Sequence, residues 1–160
     1  MPPLGPKASC LVRMLLILCF ITVLQGETHA APMTDEMGPI SNGFSAYDFK
    51  GPGSAVGEWV KGGPLEGTEA ARERINSLEE IQNTYGSFKG YEIIAIGNPT
   101  QDSRVVFVEI KFDKGPQYGR FLLYLPKDKW IVSNISRFEP TPEGMLPEFL
   151  LFPNKRILTR

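Results

Sequence analysis

Residues 104–113, RVVFVEIKFD, decide the fold. Val106, Val108, Ile110 and Phe112 fall on one side of an extended chain, while Glu109, Lys111 and Asp113 fall on the other. A period of two belongs to a strand with one face on a core and the other toward water. Lys114, Gly115 and Pro116 then turn the chain. Residues 117–125 (QYGRFLLYL) predict the next strand, 126–129 (PKDK) a second turn, and 130–138 (WIVSNISRF) a further strand. Upstream, residues 91–96 (YEIIAI) predict a first strand closed by Gly97, Asn98 and Pro99. Loops this short join antiparallel neighbours, because a parallel crossover needs a dozen residues or more. The four strands therefore form a meander.

Ahead of the meander, residues 68–85 predict a helix. Ala71, Ile75, Leu78, Ile81 and Tyr85 recur at steps of three and four and make one apolar stripe. Thr68 suits the N-cap, Glu69 the positive end of the helix dipole, and Gly86 the turn that leaves the helix. Residues 54–61 (SAVGEWVK) predict a shorter helical turn with Val56, Trp59 and Val60 on one side. Gly62, Gly63 and Pro64 end it. Residues 31–53 are rich in Gly, Pro, Ser and Asn without a sustained period, and they read as a linker or arm that Tyr47 and Phe49 could dock. The fold class expected is α+β, with the N-terminal helix or helices packed on a four-stranded antiparallel sheet over residues 54–138.

The first 30 residues predict a signal peptide. Lys7 and Arg13 give a basic start, residues 14–24 (MLLILCFITVL) an apolar run, and Thr28-His29-Ala30 small residues at a cleavage position. The run is shorter than the roughly 20 residues that cross a bilayer core. The expectation is export, with cleavage near Ala30 or Ala31 and no membrane insertion afterwards. Cys10, Cys19 and His29 are the only cysteines and histidine of the 160 residues, so residues 31–160 hold neither thiol nor imidazole.

Those absences exclude much chemistry. Without His or Cys there is no Ser-His-Asp triad, no Cys-His pair and no Cys/His zinc site. No calcium loop, Walker A loop or dinucleotide fingerprint occurs, so neither a metal nor a cofactor is expected. With 17 basic and 18 acidic residues the net charge is -1, which gives no electrostatic reason to expect nucleic acid.

Residues 64–67 (PLEG), 81–91 (IQNTYGSFKGY) and 129–132 (KWIV) carry a resemblance. Over about residues 54–147 the chain resembles the nuclear-transport-factor-2-like superfamily, and within it small exported bacterial proteins with no assigned activity. That resemblance implies a curved, cone-like sheet. A cystatin-like helix-on-sheet domain shares the outline. The superfamily includes ketosteroid isomerases and polyketide cyclases, which implies an alternative enzyme reading: an isomerase or cyclase using a carboxylate and a tyrosine in an apolar cavity. Glu92, Glu109, Tyr91, Tyr118 and Tyr124 are the strand residues available for it, and none matches a catalytic position of the family.

The candidate ligand-pocket residues are Trp59, Tyr91, Arg120, Tyr124 and Trp130. The two tryptophans are more often core residues than ligand platforms. Arg120 could meet an anionic ligand, but such an arginine more often lies on an exposed sheet face with its stem flattened on neighbours. The function expected is a non-catalytic binding domain for an unknown partner protein or a small apolar ligand. Residues 139–160 read as a Pro-interrupted apolar strap. Met145, Leu146, Phe149, Leu150, Leu151 and Phe152 are too many large apolar groups to leave in water, and Pro147 and Pro153 prevent one long helix. The strap should cover the open sheet face of its own domain or of a second copy, with the homodimer preferred.

Overall fold

A computed structural model describes residues 35–147, in which three helices precede four strands. The expected signal peptide and residues 148–160 of the expected strap lie outside the described residues. The first helix corrects the linker reading. Gly38–Lys50 (α1) is helical, and Ile40, Phe44 and Tyr47 are buried. Their spacing of four and three makes one apolar stripe, which the glycines, serines and asparagine between them disguise. Pro39 sits in the first turn, where its missing N–H costs nothing. Gly43 is small for a packing reason: a Cβ there would stand 2.0 Å from Cδ1 and Nε1 of Trp59.

Gly51, at φ 82°, ends α1 and lets the chain re-enter a helix at once, Pro52–Val60 (α2). This second helix begins two residues before the expected turn and buries Ala55, Val56, Trp59 and Val60. Glu69–Tyr85 (α3) forms as expected. Thr68 Oγ1 accepts the Ala71 N–H at 3.3 Å, and the Gly86 N–H closes the far end on Gln82 O. Leu78 is fully buried, while Ile75 and Ile81 are half-buried against the core. The backbones nearest the sheet are nevertheless those of α1, against β1, and α2, against β4, and α3 packs chiefly on α2.

The sheet is an antiparallel meander in the order β1-β2-β3-β4: Phe88–Thr100, Ser103–Phe112, Gly115–Tyr124 and Ile131–Ile135. It is not closed into a barrel. β1 runs through Gly97, Asn98 and Pro99, where a turn was expected, and the hairpin turns at Gln101 and Asp102. β1 is an edge strand with a register shift at that point, so proline is tolerated there. β4 is shorter than expected, and Glu139 beyond it forms an isolated bridge with Tyr118. The predicted alternation holds: Val106, Val108, Ile110 and Phe112 are all buried beneath the helices.

Aromatic rings fill the space between the layers. Phe44 stacks on Tyr91 at 3.9 Å and meets Trp59 edge-on at 4.9 Å. Trp59 in turn meets Phe121 at 5.1 Å, and Phe138 closes the cluster.

Candidate functional site

The structure divides the five candidate pocket residues among three places. Trp59 and Tyr91 belong to the core. The Trp59 indole N–H donates to Ile40 O at 3.1 Å, which satisfies its one polar atom and ties α2 to α1. Tyr91 is half-buried with its ring against Phe44. Trp130 is also buried, at the turn end of the β1–β2 hairpin, with the Arg104 guanidinium 4.7 Å over its ring. Arg120 and Tyr124 lie on the opposite face of the sheet, exposed. No single cavity gathers the five.

Arg104 is a residue the sequence reading missed. Its Nε and Nη2 fork onto the two carboxylate oxygens of Glu36 at 3.1 and 2.9 Å, and Nη1 donates to the carbonyls of Thr100, Gln101 and Ser103. This bidentate pair clamps the segment before α1 onto the hairpin. Partners 68 residues apart leave no local sequence signal. Beside the clamp is an open cleft of about 330 Å³, lined by Asp35, Asn42, Glu58, Lys61, Asp128 and Lys129, with Trp130 at its base. Its charges are mixed in sign.

The carboxylates and tyrosines of the enzyme reading also separate. Glu92 pairs with Lys111, and it stands opposite Glu109 on the face away from the helices. Tyr118 stands opposite Glu109 across β2 and β3. Burial, then the charges of Glu109 and Glu143, push its phenol up from the ordinary value. This carboxylate–tyrosine pair is on an open face rather than within the aromatic interior. Among the described residues no group of three His, Cys, Asp or Glu side chains could hold a metal, and no helix is long and apolar enough to cross a membrane.

The distinctive surface is apolar. Ile93, Ile94 and Ile96 on β1 are all exposed, Ile96 at 46%. The register explains why. Ile93 pairs with Val108 and Ile96 with Val106, but a bulge at Ile94 breaks the alternation, and among the described residues no further strand lies beyond β1. A signal for this was present in YEIIAI. Apolar residues at both parities in a strand mean two apolar sides, and an edge strand cannot bury both. Leu122 and Tyr124 expose a second apolar group on the outer face.

Comparison with known proteins adds one likeness. No protein-family model matches the chain, and no curated protein matches it. A crystal structure of a DUF4783 family protein from Bacteroides uniformis is similar over 64% of this chain and 97% of that one, at 12% identity and a TM-score of 0.44.

Proposed function

We propose that the protein is an exported, non-catalytic interaction domain that engages a partner protein along the free edge of β1. The observation that carries this reading is the triplet Ile93, Ile94 and Ile96, exposed on a 13-residue edge strand. An edge strand offers unpaired backbone N–H and C=O groups as well as side chains, so an extended apolar segment can add to it as a further strand. Each large apolar side chain taken fully out of water there is worth roughly 1.5–3 kcal/mol. Export is supported by the signal-peptide pattern of residues 1–30. Three helices followed by an open four-stranded meander support the resemblance to the nuclear-transport-factor-2-like superfamily.

The rival is a small isomerase or cyclase. It draws on the facing pair Glu109 and Tyr118, but it needs a water-poor cavity around them. The ring cluster of Phe44, Trp59, Phe121 and Phe138 occupies the space where such a cavity would lie under the helices. A photo-crosslinking amino acid placed at Ile94, and separately at the exposed Asn76 of α3, tests the proposal in cells that export the protein. The reading predicts a discrete adduct from position 94 alone. Equal labelling from both positions, or none from either, would overturn it.

A further inference from the structure

The sheet has two edges, and the described chain covers one of them. At β4, the Nε–H of Arg74 on α3 donates to Ile135 O at 3.0 Å. Gly63, between α2 and α3, lies so close to β4 that a Cβ there would stand 2.4 Å from Val132 O. Over β1, the rings of α1 reach Phe88 and Tyr91: Tyr47 is 4.5 Å from the first and Phe44 3.9 Å from the second. Farther along the strand, Ile93, Ile94 and Ile96 are exposed. Residues opposite each other in an antiparallel pair share a face. Ile93 and Ile96 stand opposite the buried Val108 and Val106, so they belong to the helix side. Glu92 and Gly97, opposite Glu109 and Val105, belong to the outer side.

We propose that the partner on β1 is a second copy of this chain, with the two β1 strands joined antiparallel about a two-fold axis. The inference rests on the proposed use of that edge and names its occupant. The isoleucines sit at the middle of a 13-residue strand, so a two-fold axis there brings each triplet onto the other. An axis normal to the sheet keeps both helix sides on one side of the joined sheet. Faces then match with Ile93 opposite Ile96 of the second copy and Glu92 opposite Gly97 of the second copy. The same register sets no charge against a like charge. Lys89 stands opposite Thr100 of the second copy, while Lys89 and Glu92 keep their own partners, Asp113 and Lys111. Closure favours the second copy as well. The joined sheet has eight strands, four from each copy, and its outer edges are the two covered β4 strands. Association therefore stops at two. Pairing through the backbone leaves Ile93 and Ile96 of both copies on the helix side, as one apolar floor that neither copy has alone.

Sedimentation of the protein from micromolar to near-millimolar concentration tests this. The expected result is a monomer–dimer equilibrium without larger species. Ile96→Lys should raise the dissociation constant about a hundredfold, because a two-fold interface meets the change twice, at roughly tenfold each. Its urea midpoint should hold, since Ile96 is exposed. Disulfide trapping reads the register. The only native cysteines are Cys10 and Cys19, and with both replaced by serine the chain has no competing thiol. Chains carrying Ile93→Cys, mixed with chains carrying Ile96→Cys, should form an interchain bridge that neither forms alone, because a bridge needs Cα atoms within about 7 Å. A monomer at every concentration, a ladder of larger species, a dimer that Ile96→Lys does not weaken, or no bridge in the mixture would overturn the proposal. A monomer whose position 94 crosslinks to a different protein would overturn this inference and leave the reading of the β1 edge standing. No adduct from position 94 would overturn both.

Discussion

Phe44 and Phe49 are five residues apart, in a stretch whose composition reads as a linker, and the structure assigns them opposite fates. Phe44 is 1% exposed and Phe49 84%. The Phe44 ring lies 3.9 Å from that of Tyr91, 4.9 Å from Trp59, 6.1 Å from Phe121 and 6.2 Å from Phe88. Truncating a buried phenylalanine to alanine costs about 3–5 kcal/mol, and aromatic pairs add roughly 0.5–1.5 kcal/mol each beyond the area they bury. Phe44→Ala should therefore fall at the top of that range, about 4–5 kcal/mol. That is a large share of the roughly 5–15 kcal/mol that holds a domain together. Phe49→Ala should change stability by less than about 0.5 kcal/mol, as exposed substitutions do. Urea unfolding followed by far-ultraviolet circular dichroism measures both without depending on Trp59, whose emission the Phe44 change would alter directly. Equal midpoints for the two variants, or a loss below about 1 kcal/mol at Phe44, would refute the placement of α1 in the core.

Gly43→Ala should destabilise by about 1–3 kcal/mol or more, because the new methyl overlaps the Trp59 ring and disturbs its hydrogen bond to Ile40; an unchanged melting temperature would contradict that contact. Gln117 is 2% exposed and its Nε2 has no partner, so Gln117→Met should leave the urea midpoint unchanged or raise it. A loss above about 1 kcal/mol would mean that the amide is satisfied after all. Burial pushes the Tyr47 phenol far above its ordinary value of 10.0. The unfolded chain releases that proton near pH 10 while the folded one keeps it, so this contribution is complete below pH ~10 and is lost as the pH rises further. Tyr47→Phe should flatten the decline in stability above pH ~10, and identical alkaline profiles for the two proteins would refute the assignment.

The legible parts of the fold were those whose burial follows a simple period. Leu78 and Ala71 mark the stripe of α3, and Val106 to Phe112 alternate because β2 is paired on both sides and covered on one. α1 escaped because two of its features point away from a helix when read locally. Gly43 is required by Trp59, sixteen residues on, and Pro39 by the first turn. The length of β1 escaped because Pro99 ends a strand only where its N–H is needed, and an edge strand does not need it. Of the site candidates, the tryptophans took the core role their type favours, and Arg120 the exposed one. Arg104 and Glu36 could not be paired in advance, since only the folded chain brings the hairpin to the segment before α1. The exposed isoleucines were visible as an unbroken apolar run, but the bulge at Ile94 that interrupts their alternation was not.

The account stands or falls on whether the apolar surface that meets other molecules lies outside, on β1, or inside, among the rings. Residue-resolved amide shifts during titration of the protein with a fluorescent apolar probe, anilinonaphthalene sulfonate, distinguish the two. The prediction is that shifts concentrate at Ile93, Ile94 and Ile96, with Phe44, Trp59 and Phe121 unmoved. Shifts centred on Phe44, Trp59 and Phe121, with β1 silent, would show an interior that opens to ligands and would contradict it.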